Sequence, residues 1–322
     1  MLIEPQTHQG GTRAEQRPGV SYSAVRTSSL LRQEPDGRGG WRWAIHPYDG
    51  CELACTFCPL RMDRKDFGSW YAFQSRIAVK TNAVEALVRE LRNDELRGAP
   101  LSLGTGADPW QPAEEQFRLT RAILTALRPV EALDLAVHTR SSLIARDVDL
   151  LKELSVNGHL TVAVSVVALD EKISRLLEPK APSVFRRLAA IEALARAGLT
   201  VGLRLAPVML GLDDEEVGME SLLTRASNAG ARFAQLEPMQ FGVGQRESFL
   251  THATTAYPDK AARFRRVIGR RPPTPEERAE RLERFEGLCA KLGLAPREVS
   301  PPARPARRLG PAQLPLFDGL GA

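Results

Sequence analysis

The chain of 322 residues is 43% hydrophobic and 26% charged, the balance of a soluble globular protein with apolar material for one large core or two small ones. No apolar run approaches the roughly 18–20 residues a membrane-spanning helix needs, and the N-terminus lacks the apolar segment of a secretory leader. An integral membrane protein is thereby excluded and a cytoplasmic location expected, while the net charge of +5 favours polyanions such as nucleic acid.

Residues 1–38 are rich in Gly, Arg, Gln and Ser with little periodicity, and they read as a disordered tail. From 39 to 244, apolar strand-like runs alternate with amphipathic helical stretches. Strands are expected at 42–45, 101–104, 133–138, 160–166, 201–206 and 233–236. Helices are expected at 82–97, 113–128, 144–154, 184–197 and 214–229, with a short one after Asp170. In the fourth of these, Leu188, Ile191, Leu194 and Ala195 share a face, and Gly198 follows as a C-terminal cap. Such units in series imply an α/β fold, with parallel strands curling into a partial (β/α)6 barrel of TIM type; a doubly wound open sheet is the alternative. Residues 245–295 read as a helical extension, and 296–322 as a second disordered tail, rich in Pro and Arg.

Three of the four cysteines, Cys51, Cys55 and Cys58, fall within eight residues directly after the expected strand at 42–45. A disulfide framework would spread and pair them, whereas reduced thiols this close together serve a metal or catalysis. Their C-x3-C-x2-C spacing can ligate three irons of a 4Fe–4S cubane and leaves the fourth iron without a ligand from the motif. A closed zinc site is the alternative. It takes four ligands, usually from two separated pairs, and only His46, Asp49 or Asp63 stands near enough in sequence to be the fourth. Gly50 permits a tight backbone there, and Phe57 can cover one face of a cluster. Cys289 stands alone in a helical pattern and reads as a buried small hydrophobe.

With its C-x3-C-x-aromatic-C motif the chain resembles the radical S-adenosylmethionine (SAM) superfamily, and more narrowly the spore photoproduct lyase-like branch often labelled DNA repair photolyases. The resemblance covers about residues 41 to 240. It is carried by Pro47-Tyr48-Asp49-Gly50-Cys51, with His46 where the family has Asn, and by the run from Ser102 to Pro112. His138-Thr139-Arg140-Ser141, Ser165, Leu177-Glu178-Pro179, Arg187-Leu188 and Ala206-Pro207-Val208 follow in order.

The resemblance implies a 4Fe–4S cluster on the three cysteines, SAM chelated to the open iron, and an electron donor such as flavodoxin or ferredoxin. Reductive cleavage of SAM would then yield a 5′-deoxyadenosyl radical acting on DNA in a repair-related reaction. Most of these positions lie at or beyond the C-terminal ends of expected strands, where barrel enzymes keep their sites. Gly104, Thr105 and Gly106 would bring backbone amides to SAM. Asp108 reads either as a ligand-orienting carboxylate or as the N-cap of the next helix. Ser165 would bond the SAM carboxylate or ribose, or is an ordinary strand-end hydroxyl. Arg140, where the family commonly has Lys, would pair with the SAM carboxylate. Glu178 is read as a ribose contact or a solvated helix end, and Arg187 as a solvated helix face. The family's lyase is expected to carry a hydrogen-donating Cys in the loop that here reads Gly104-Thr105-Gly106-Ala107-Asp108, without a thiol. The same radical chemistry on RNA, a peptide or a metabolite, and a non-catalytic zinc-bearing nucleic-acid-binding protein, are the competing readings.

Near the C-terminus, Gln313-Leu314-Pro315-Leu316-Phe317 resembles the bacterial sliding-clamp-binding peptide. In such a segment Gln313 supplies directional hydrogen bonds while Leu314, Leu316 and Phe317 enter an apolar pocket. The alternative is that the three apolar side chains fold back onto the barrel.

Overall fold

The computed structural model describes residues 19–35, 41–58, 60, 70–93, 96, 98–130, 132–208, 216–239, 245–256, 258, 261–268 and 274–297. Six parallel strands form its centre: β3 (Trp41–Ile45), β6 (Pro100–Leu103), β7 (Asp134–Thr139), β8 (His159–Ser165), β9 (Thr200–Val208) and β10 (Phe233–Pro238). They lie side by side in sequence order, as successive right-handed crossovers require. β2 (Leu31–Pro35) adds to β3 antiparallel, so among the described residues β2 and β10 are the two edges of an unclosed sheet. The six strands match the expected ones to within a few residues, and the architecture is the partial barrel.

Strand alternation sorts this sheet into two unlike faces. Leu101, Leu103, Leu135, Val137, Leu160, Val162, Val164, Val201, Leu203 and Leu205 all point one way and are buried. There they form one core with the crossover helices α4 (Leu119–Leu127), α5 (Val148–Asn157) and α7 (Val184–Arg196), through Ile123, Leu127, Leu151, Leu154, Ile191 and Leu194. The inner face is small and polar. It carries Ala44, Ser102, Ala136, His138, Thr161, Ala163, Gly202, Arg204 and Gln235 in registered rows.

Several expectations change in detail. Ser21–Val25 (β1) and Leu31–Pro35 are strands within the stretch read as an N-terminal tail; residues 1–18 and 298–322, including the expected clamp peptide, lie outside the described residues. β1 pairs with β5 (Arg76–Lys80), which also pairs with β4 (Tyr48–Asp49), making a small second sheet. The helix expected at 113–128 is two, α3 (Ala113–Phe117) and α4, because Arg118 turns left-handed at φ 51°. That expected at 144–154 begins as a 3-10 turn, Ser142–Asp147, capped by the Ser141 side chain on Leu143 N. Helices α1 (Trp70–Ser75), α2 (Ala83–Leu91), α6 (Glu171–Leu177) and α8 (Glu216–Asn228) complete the barrel region.

In the extension, α9 (Gln245–Ala256) and α10 (Ala261–Ile268) place Phe249, Ala253, Phe264 and Ile268 in one buried cluster with Leu53, Cys55, Phe57 and Leu177. α11 (Pro275–Lys291) starts with a Thr274/Glu277 capping box and buries Phe285, Leu288 and Cys289, the last as a small hydrophobe. Beyond it, Ala295 extends the edge at β10: Ala234 N donates to Ala295 O and Ala295 N to Arg232 O.

Candidate active site

The cysteine loop leaves β4 through Gly50 at φ 87°, where a Cβ would stand 2.5 Å from Arg76 O and 3.0 Å from Phe73 O. Only glycine serves this turn. Cys51 N donates to Phe73 O, Thr56 N to Leu177 O at the end of α6, and Lys180 N to Leu53 O. A side chain that the sequence reading passed over grips the loop from below. The fully buried Gln111 accepts from Glu52 N through Oε1 (2.9 Å) and donates from Nε2 to Gly50 O (3.1 Å). Its only sequence signal is its place in the Ser102–Pro112 motif.

None of the three cysteines is in a disulfide; Cys51 and Cys55 are buried and Cys58 partly so. Burial, with Asp108 adding to it, pushes the Cys51 thiol up to about 12, and burial raises Cys55 well above the usual range against the opposing pull of Arg140. Thiols held so high ionise only against a bound cation. The Cys51 sulfur also receives the backbone N–H groups of Asp108 and Leu53, the kind of contact that tunes an iron–sulfur cluster. Among the described residues no three His, Cys, Asp or Glu side chains are placed to hold a single metal ion; on a cubane each thiolate takes its own iron, so its ligands stand farther apart.

Next to the loop, the Gly104–Asp108 turn rests on the N-terminal strand. Gly104, at φ 96°, passes the chain over β7 so closely that a Cβ would overlap His138 O. A Cβ on Gly106 would meet His46 Nδ1 at 2.5 Å. His46 Nε2 lies 2.9 Å from Glu34 Oε1, and the Thr105 hydroxyl also bonds Glu34. Asp108 is buried, and its carboxylate is fully used. It accepts from Trp110 N (2.9 Å), Thr139 Oγ1 (2.8 Å) and Arg140 N (2.6 Å). It is not the N-cap of α3, whose cap is Pro112; it ties the turn after β6 to the end of β7.

Arg140 stands with its guanidinium 5.3 Å from the centre of the Phe57 ring, donating from Nε to Glu178 Oε1 and from Nη2 to Ala206 O. Glu178 is buried, not a solvated helix end. Arg187 overturns the reading made of it: it has no solvent exposure, and donates to Glu178 Oε2 (2.5 Å), Ser165 O and Ser174 Oγ (each 2.8 Å). Helical position alone pointed it at water; the i+9 spacing to Glu178 folds it inward across the α6–α7 turn.

Two observations fit a bound cluster and a bound polar molecule beside it. The first is the loop that gathers three cysteines, none of them in a disulfide. The second is a set of buried polar atoms on the sheet's inner face with no hydrogen-bond partner: Ser102 Oγ, His138 Nδ1, Thr161 Oγ1, Ser165 Oγ and Gln235 Oε1. Leaving such atoms unmet costs about 1–3 kcal/mol each. A TIM barrel normally fills its interior with branched apolar side chains; this one lines it with unmet donors and acceptors, as a ligand site does.

Residues 45–221 match the radical SAM superfamily. The chain belongs to that superfamily. Members use a 4Fe–4S cluster and SAM, so these are the cofactors of this radical SAM enzyme. An uncharacterized protein of Mycobacterium tuberculosis (strain ATCC 25618 / H37Rv) is 31% identical over 309 residues, 95% of this chain and 91% of its own. One of Methanocaldococcus jannaschii is 27% identical over 179 residues, 55% and 64% of the two chains. Among solved structures, spore photoproduct lyase complexed with dinucleoside spore photoproduct shares the fold at a TM-score of 0.63 and 15% identity, over 85% of this chain and 81% of that one. A double mutant of that lyase with bound AdoMet aligns at a TM-score of 0.56 and 16% identity, over 73% and 65%. No helix among the described residues is long and apolar enough to cross a membrane.

Proposed function

We propose that Cys51, Cys55 and Cys58 hold the 4Fe–4S cluster and that this enzyme acts on DNA in a repair-related reaction, in the cytoplasm. The observation that carries the first part is the loop that gathers three cysteines, none in a disulfide, beside an inner sheet face of unmet polar atoms. When bound, the cluster supplies the electron that splits SAM into methionine and a 5′-deoxyadenosyl radical. The chain's own residues position and shield. Gln111 and Phe73 O shape the loop, Phe57 and α9–α10 keep water from it, and Gly104–Gly106 with Ser165 form the wall against which SAM lies. Arg140, held by Glu178 and Ala206 O, would pair with the SAM carboxylate.

DNA is supported by the fold shared with a lyase solved with a dinucleoside photoproduct, by the net charge of +5 and by the clamp-like Gln313-Leu314-Pro315-Leu316-Phe317. The absence of a thiol from Gly104–Asp108 points to a reaction other than photoproduct reversal through a cysteine in that turn. Anaerobic reconstitution tests the reading: about four irons per chain, 5′-deoxyadenosine formation with dithionite and SAM, and loss of both in Cys58→Ala. Stimulation by ultraviolet-damaged DNA, with none from RNA or peptides, is the result expected for the substrate. One zinc and no iron would overturn it. For recruitment, Gln313→Ala/Phe317→Ala should abolish sliding-clamp pull-down, and equal recovery of both proteins would remove that part.

A further inference from the structure

Beside the cysteine loop lies an open cleft of about 630 Å³. Buried Leu53 and Trp110 line it together with Arg146, Arg175, Lys180 and Arg186, against one carboxylate, Glu115. Arg146 is already paired with Glu114 and Asp147, and Arg175 bonds Ala181 O. The exposed head groups of Lys180 and Arg186 have no partner among the described residues. Next to Arg186, Phe185 is 78% exposed. An unpaired cationic rim over buried apolar side chains is the anatomy of a steered protein–protein contact.

The cleft touches the cysteine loop directly. Leu53 stands two residues from both Cys51 and Cys55, and its carbonyl accepts from Lys180 N. No inner-face residue lines the cleft: not Ser102, His138, Arg140, Ser165 or Gln235. A substrate lying there would be outside the sheet interior, whereas an electron needs proximity to the cluster and no atomic contact. We propose that this cleft is the docking surface of an acidic one-electron carrier protein, a deepening that rests on the cluster assignment above. The carrier loses one electron, the cluster gains one, and no atom changes hands.

The test follows cluster reduction in the reconstituted holoenzyme by stopped-flow absorbance. Flavodoxin hydroquinone serves as the acidic carrier, and photoreduced deazaflavin as a neutral small reductant. Steering by such a patch is worth 10-fold to about 1,000-fold in association rate. Lys180→Glu/Arg186→Glu is therefore expected to be reduced at least about 10-fold more slowly by flavodoxin at low ionic strength, with the gap closing at high salt. Lys180→Gln/Arg186→Gln falls between, and deazaflavin reduces all three proteins alike, which shows that their clusters are intact. Equal flavodoxin rates for the three would overturn the proposal. So would unchanged flavodoxin rates with weakened DNA binding, which would make the cleft a phosphate-contacting face. Failure of deazaflavin-reduced wild type to cleave SAM would count against the chemistry alone, since docking is read from cluster reduction.

Discussion

Arg187 holds a guanidinium with no solvent contact between Glu178, Ser174 and Ser165 O, while Arg140 occupies the other oxygen of Glu178. Removing one partner of such a group strands a buried charge, at about 3–5 kcal/mol. Arg187→Met should lose that much in urea unfolding; a loss under about 1 kcal/mol would show that Arg140 alone satisfies Glu178. Gln111→Leu breaks two hydrogen bonds and leaves Gly50 O and Glu52 N unpaired in a buried site, about 1–3 kcal/mol each. Lower retained iron after desalting, with an unchanged far-ultraviolet spectrum, is expected of it. His138 supplies a pH test. Burial first, then the nearby Arg204, Arg42 and Arg140, depress it from 6.5 to about 3. The unfolded chain therefore binds a proton that the folded one refuses, and stability is lost as pH falls below 6.5. By pH 5 this amounts to about 2 kcal/mol. Metal-free wild type should lose it between pH 7 and 5, and His138→Gln should not; parallel curves would show that the ring is not held neutral.

At the scale of elements, strand ends do the positioning. Gly104 lets the chain cross His138 O, and Gly104→Ala should destabilise beyond the roughly 3 kcal/mol reached by most substitutions, seen as loss of soluble protein or a large drop in unfolding midpoint. Arg118 sits left-handed between α3 and α4, a conformation that costs a side-chain-bearing residue about 1 kcal/mol. Arg118→Gly should raise stability by up to that amount, and a loss would show that its side chain matters more than its backbone. This break was hidden in the sequence, because the apolar periodicity runs through 113–128 without a glycine to mark it. The six parallel strands were legible because each carries a continuous or alternating apolar run between helical ones. So was the short helix after Asp170, whose carboxylate caps it by accepting from Lys172 N and Ile173 N.

Over the whole molecule, residues 19–35 and Ala295 are part of the fold. β1 and β2 pair with β5 and β3, and Glu34 reaches His46 and Thr105 at the site. Deleting residues 1–36 should expose two strand edges and give aggregated protein; a soluble, iron-binding truncation would show them dispensable. Their polar, short-period composition conceals such strands, because each is stabilised by the partner strand it meets and not by a local pattern. By itself the sequence determined the strand–helix alternation and the parallel order, since periodicity is a local property, and its motifs carried the resemblance that implied the chemistry class. Which polar side chains turn inward was decided only by tertiary structure. Arg187 and Glu178 can be read as solvated, and Asp108 as an N-cap, until distant segments close around them, because burial of a charge depends on the partner that neutralises it and that partner is set by the fold.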